Sequence, residues 1–167
     1  MIHPELDAEQ LYTQLEAAIK PALAGTDRLA IVGIYSGGAW LAERLARALG
    51  VTDVGFVDVS FYRDDYAERG LSAEVRPSHV PFDVDGATIL LVDDVLYTGR
   101  TTRAAINTLF DYGRPARIML AALVDRGGRQ LPVAADFCAR TVAVETNQML
   151  VLQQADDGRL TLTIDHA

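Results

Sequence analysis

The chain has 167 residues, half of them hydrophobic, and 23 acidic residues against 15 basic ones give a formal net charge of −8. That length suits one domain, residues 1–167, with a sizeable core, and the acidic balance disfavours a protein that works mainly by coating nucleic acid. The single cysteine, Cys138, excludes an internal disulfide, and its expected place is the core. No apolar run reaches the length of a membrane span, and the first residues lack the basic-then-apolar pattern of an export signal, so a cytoplasmic location with no membrane partner is expected.

In chain order, Asp7 and Gln10 have the spacing of a capping box, and Leu11, Leu15, Ala18, Ile19 and Leu23 mark one apolar helical face. Residues 29–35 read as a buried strand and residues 40–49 as an amphipathic helix closed by Gly50, with Trp40 in the core. Between them stands Ser36-Gly37-Gly38. Residues 54–62 alternate as a strand does, with Val57, Val59 and Phe61 on one face and Asp58, Ser60 and Tyr62 on the other. Residues 63–82 are polar, carry two prolines and read as a lid or binding loop.

Residues 89–92 are continuously apolar, as in a strand buried on both faces. Asp93 and Asp94 follow, then Val95 and Leu96, then Tyr97-Thr98-Gly99-Arg100-Thr101-Thr102. Ala104, Ala105, Ile106, Leu109 and Phe110 next recur at helical spacing. Residues 118–124 form another strand, residues 131–146 show no clear period, and residues 148–154 and 159–164 flank Asp156-Asp157-Gly158 as a hairpin.

Strands alternating with helices imply a mostly parallel sheet, whose ligands bind beyond the strands' carboxyl ends. Four segments meet that condition: residues 36–38, 63–82, 93–101 and 125–129. The stretch from Asp93 to Thr102 has a specific chemical sense. A helix N-terminus with threonine hydroxyls beside it suits a phosphate, and Gly99 permits close backbone approach. Carboxylates accept hydrogen bonds only, so Asp93 and Asp94 suit sugar hydroxyls or a hydrated cation. Phosphate beside ribose hydroxyls describes a ribose 5-phosphate. The competing reading is a strand ending in a solvated Asp-Asp turn with an ordinary threonine cap.

Four apolar residues, two acids, two apolar residues and Thr-Gly-x-Thr resemble the phosphoribosyl-diphosphate (PRPP) motif of type I phosphoribosyltransferases. The wording Val-Asp-Asp-Val-Leu-Tyr-Thr-Gly-Arg-Thr resembles more narrowly the PyrR family, pyrimidine operon regulators that also have uracil phosphoribosyltransferase activity. Val32-Gly33-Ile34, Phe61-Tyr62-Arg63-Asp64-Asp65, Gly113-Arg114-Pro115 and Leu123-Val124-Asp125-Arg126-Gly127 agree. The resemblance implies an α/β chain of type I phosphoribosyltransferase fold, with a small hood and a C-terminal hairpin. It implies UMP and diphosphate made from uracil and PRPP, with Mg2+ carried by PRPP.

On the same resemblance, Asp93 and Asp94 are catalytic, holding the ribose hydroxyls and orienting magnesium indirectly. Tyr97, Thr98, Gly99, Arg100 and Thr101 clamp the 5′-phosphate, and Ser36, Gly37 and Gly38 approach the diphosphate. Arg63 belongs to the flexible loop, and Val124, Asp125 and Arg126 form the nucleobase loop. One departure stands out: the family commonly has Thr-Arg-Gly where this chain has Ser36-Gly37-Gly38, so a cation for the leaving group must come from elsewhere, with Arg63, Arg69 and Arg76 as candidates. The resemblance further implies a homodimer or homotetramer and an mRNA partner, which the acidic balance disfavours. An RNA-binding attenuator sensing UMP and PRPP, and a purine phosphoribosyltransferase, remain alternatives.

Overall fold

The computed structural model describes residues 6–60 and 78–166. Five strands form one parallel sheet: β1 (Leu29–Ile34), β2 (Val54–Val57), β3 (Thr88–Leu96), β4 (Arg117–Asp125) and β5 (Phe137–Thr141). Their order is β2-β1-β3-β4-β5. The sheet therefore grows in one direction from β1 to β2 and in the other from β3 to β5. Helix α2 (Gly37–Leu49) makes the first crossover and α3 (Arg100–Tyr112) the crossover from β3 to β4. Right-handed crossovers in opposite directions put helices on opposite faces and leave a crevice between β1 and β3.

Both faces of the sheet are buried, which explains the unbroken apolar runs. Leu90 and Val92 pack on one side with Leu41 and Leu45 of α2 and with α1 (Ala8–Leu23). Ile89 and Leu91 pack on the other side with Ala104, Ala105 and Leu109 of α3. The hairpin of β6 (Gln148–Gln154) and β7 (Leu160–His166) is a separate antiparallel pair, and its Leu150, Leu152, Leu160 and Leu162 close the α1 side. A polar knot ties the three elements there. Arg44 of α2 donates to both oxygens of Glu9 (2.8 and 2.9 Å) and to the Gly158 carbonyl (2.5 Å), while Leu160 N–H donates to Glu9 (2.7 Å). No helix among the described residues is long and apolar enough to cross a membrane.

Several expectations change in the folded chain. Asp7 caps α1 by accepting from the Glu9 and Gln10 N–H groups, but Ala18 faces solvent and Tyr12 takes a buried place instead. Helix α2 begins at Gly37, not at residue 40, and its Trp40 is partly buried. Strand β2 ends at Val57, because the Asp58 carboxylate turns the chain by accepting from the Ser60 N–H. Phe61, Tyr62 and the loop arginines Arg63, Arg69 and Arg76 lie outside the described residues. The loop's last part returns along the sheet edge, with His79 and Phe56 exchanging backbone hydrogen bonds of 2.7 and 2.8 Å. Residues 131–146 contain the edge strand β5, whose solvent side carries Cys138, so the cysteine is exposed and not in the core. Phe110 is also exposed (53%), lying off the buried face of α3.

Candidate active site

The crevice between β1 and β3 is where the acids stand. Pairing of β1 with β3 stops at Gly33 opposite Val92, whereas β3 continues against β4 as far as Leu96 opposite Asp125. Asp93 and Asp94 are thus the first residues of β3 beyond its pairing with β1. Sequence periodicity places them in a loop after a four-residue strand. In the fold they extend that strand, because β4 is long enough to keep pairing its other edge. Both are buried, at 2% and 7% exposure, and each accepts a backbone N–H at 2.8 Å, Asp93 from Asp94 and Asp94 from Val95. A solvated Asp-Asp turn is excluded.

Alternation along the strand sends Asp94 toward α2. Its carboxylate lies against Gly37: a Cβ built there would stand 2.5 Å from Asp94 Oδ2 and 2.9 Å from Asp94 Cγ. Position 37, where the family commonly has arginine, is thus packed directly against Asp94 in this chain, and a side chain there would require the carboxylate to shift. A Cβ on Gly38 would collide with the Val92 carbonyl oxygen, and one on Gly33 would come within 2.6 Å of the Ala39 backbone. Ser36 precedes α2 through a cis Tyr35–Ser36 peptide and makes no side-chain capping bond. Ser36, Gly37 and Gly38 therefore bring the first turn of α2, with its donor N–H groups, to the two acids.

At the next junction Gly99 is the N-cap of α3, with φ +96° and ψ −4°. That left-handed backbone is why a glycine stands between Thr98 and Arg100. Thr98 and Thr101 are buried, and Thr98 Oγ1 accepts from the Arg100 N–H at 3.2 Å. The Thr102 hydroxyl is buried with no hydrogen-bond partner among the described residues. Arg100 does not turn its side chain toward this cradle alone: its Nε donates to Gln130 Oε1 at 3.0 Å. Two helix N-termini and two buried carboxylates thus converge on one crevice, a donor-and-acceptor set matched to a polyanionic, hydroxyl-bearing ligand.

Known proteins identify the family and the fold. The phosphoribosyl transferase domain family matches residues 3–151. A bifunctional protein PyrR from Ralstonia nicotianae is 51% identical, the match covering 98% of this chain and 97% of that one. The PyrR of Pseudomonas aeruginosa is 45% identical over 86% of each chain. The chain belongs to the PyrR family of phosphoribosyltransferases. A hypoxanthine phosphoribosyltransferase structure from Trypanosoma cruzi superposes with a TM-score of 0.66 at 21% identity, covering 94% of this chain and 92% of that one. At that identity the likeness establishes the type I fold and says nothing of the base.

In this PyrR-family chain the segment after β4, expected from the sequence to border the nucleobase, is held mostly by side chains. Val124 is buried near the end of β4, and the strand's last residue, Asp125, accepts from Gly127 N–H (2.8 Å) and from Arg129 Nη2 (2.5 Å). Burial pushes the Asp125 carboxyl up, but the Arg129 hydrogen bond, the Gly127 N–H and the arginine's charge together hold it below the ordinary aspartate value. Arg126 lies 3.9 Å over the Tyr97 ring and donates to the Gln148 and Glu145 carbonyls. The sequence assigned Arg126 to this loop and pointed to no role for Arg129. Arg129 is instead an internal donor, to Val133 O (2.7 Å) and Tyr97 O (2.7 Å) as well as to Asp125. Only the spacing Asp125–Arg129 hinted at it.

Proposed function

We propose that this chain is a uracil phosphoribosyltransferase of PyrR type, joining uracil N1 to the ribose C1′ of PRPP and releasing diphosphate. The identity of 51% to a PyrR over nearly the whole chain carries the reading. The buried pair at the head of the crevice supports it. Asp93 and Asp94 accept the ribose hydroxyls and fix the sugar while positive charge develops at C1′. Thr98, Gly99 and Thr101, with the first turn of α3 and the backbone of Tyr97 and Arg100, take the 5′-phosphate. Ser36, Gly37 and Gly38 offer backbone N–H groups to the diphosphate. Val124, Asp125 and Arg126 border the uracil.

Among the described residues no group of three His, Cys, Asp or Glu is placed to hold a metal ion, and the two acids fit a magnesium that arrives on PRPP and is held through ribose hydroxyls or water. When bound, that ion neutralises charge on the departing diphosphate. Arg63 remains a candidate second cation for it, on sequence alone.

Tyr97 stands three residues after the second acid, where purine enzymes of the superfamily place an aspartate that meets the purine ring. A phenol is a poor acceptor near neutral pH, so uracil is preferred. Uracil, hypoxanthine, guanine, adenine and orotate supplied separately with PRPP and magnesium test this. Uracil alone should give a nucleotide product at a high rate. A higher kcat/KM for any purine would reverse the base assignment.

The second reading, a UMP-sensing RNA attenuator, rests on the regulatory half of the family resemblance. The arginines available to it are divided. Arg114 lies just before β4 and Arg117 at its start, whereas Arg126 and Arg129 lie just beyond its end and Arg140 of β5 pairs opposite Val124, roughly 25 Å from the first two for a nine-residue strand. Arg126 and Arg129 also spend their guanidinium donors on backbone carbonyls and Asp125. Specific binding to a pyrimidine-operon leader is therefore expected to be weak. Filter binding with UMP at near-physiological salt measures it, and tight, sequence-dependent retention would restore the attenuator role.

A further inference from the structure

The phosphate loop does not stand by itself. Along its whole length it is fastened to residues 125–133. Leu96 O accepts from Arg126 N–H (3.0 Å), and Tyr97 O from Arg129 Nη1 (2.7 Å). Thr98 O accepts from both Gln130 N–H (2.9 Å) and Leu131 N–H (3.0 Å), and Arg100 Nε donates to Gln130 (3.0 Å). Gly99 packs so closely that a Cβ there would lie 3.1 Å from Val133 Cγ2 and 3.3 Å from Leu131 Cβ. The Tyr97 ring sits under Arg126, and a Cβ on Gly128 would meet it at 2.5 Å.

We infer that residues 126–133 form the support of the 5′-phosphate loop, with Arg129 as its principal positioning residue, so that phosphate binding and the base loop are mechanically coupled. This rests on the assignment of the Asp93–Thr101 crevice to PRPP. The guanidinium of Arg129 joins three separate places: the carbonyl entering the phosphate loop, the aspartate of the base loop, and the carbonyl of Val133 further on. All three of its nitrogens are used, and the planar fork serves acceptors that a lysine ammonium on the same stem cannot reach together. Partly buried and with its nitrogens so engaged, it is less open to an external polyanion than a free surface charge. A phosphate that stiffens residues 98–101 should stiffen the strut behind them, since the two share the Thr98 carbonyl. Reciprocity then requires that ordering the base loop favour phosphate binding.

Amide hydrogen exchange on the unmodified protein, with and without saturating PRPP and magnesium, tests the coupling. Exchange at residues 98–103 and at Gln130 and Leu131 should slow at least fivefold together, with hairpin amides such as Ala155 as the unaffected reference. Protection at 98–103 without any at 130–131 would overturn the inference and leave the PRPP assignment intact. No protection at either would overturn both. Kinetics of Arg129→Met and Arg129→Lys give the second readout. KM for PRPP should rise at least tenfold in both, with kcat within threefold, because a misplaced cradle loses ground-state and transition-state binding alike. A lysine variant with unaltered KM would reduce Arg129 to a charge pair with Asp125, and a fall in Tm with unaltered KM in both variants would reduce it to a structural brace; either overturns the positioning role. Should neither variant fold, the exchange experiment decides alone.

Discussion

The two glycine junctions at the head of the sheet, β1 to α2 and β3 to α3, face each other across the crevice but are built by opposite means. The first is made by subtraction. Gly33, Gly37 and Gly38 let backbone press on backbone and on the Asp94 carboxylate, and the space that any side chain would need is already taken. The second is made by fastening. Only Gly99 needs its missing side chain there, for a left-handed backbone, and the rest of the loop is tied to a neighbouring segment by arginine, glutamine and main-chain hydrogen bonds. A close-packed junction has no slack, so one methyl group strains all of it. A fastened loop shares its load among several bonds, and losing one should cost a fraction of its function.

The largest effect is therefore expected at Gly38→Ala. Overpacking against the Val92 carbonyl should cost about 3 kcal/mol, lowering Tm by about 6–12 °C, and PRPP-dependent activity should be lost. An unchanged melting curve would show that the junction can yield. Next come the acids that the first junction holds in place. Asp93→Asn or Asp94→Asn should lower kcat at least tenfold with the fold retained, since hydrogen bonds to a charged acceptor are worth about 1.5–3 kcal/mol. Full UMP formation by the double variant would remove PRPP from this crevice.

Gly99→Ala tests the fastened junction in the one place where it resembles the other. Left-handed backbone at an alanine costs roughly 1–2 kcal/mol, so PRPP affinity measured by calorimetry should weaken by about five- to thirtyfold, clearly less damage than Gly38→Ala. A larger loss than at Gly38 would invert the comparison.

The smallest effect lies outside both junctions, at Glu9. The Arg44 hydrogen bond, against the opposing effect of burial, holds its carboxyl below the ordinary glutamate value. A carboxyl so lowered adds stability that is complete at neutral pH and is lost as pH falls through its folded value. Glu9→Gln should thus lower Tm at pH 7 and leave it nearer the parent's at the acid end. The difference should be less than about 1 kcal/mol, because the side chain is 38% exposed and screened. A gap that widens on acidification would contradict the assigned partner.

What the sequence determined by itself was the local and the periodic. Continuous apolar runs announced strands buried on both faces, Asp156-Asp157-Gly158 announced the β6–β7 hairpin, and Asp93 to Thr102 carried the motif that pointed to the family, because each depends on neighbours a few residues apart. Three-dimensional packing decided the rest. Periodicity could not say that β3 outruns β1 and carries Asp93 and Asp94 within the strand, because strand length depends on a partner, β4, some thirty residues away. Nor could it place Cys138 or Phe110, whose burial depends on what covers β5 and α3. The same reason hid Arg129: a guanidinium surrounded in sequence by glycine and glutamine reads as solvated charge until the fold brings Tyr97, Asp125 and Val133 around it.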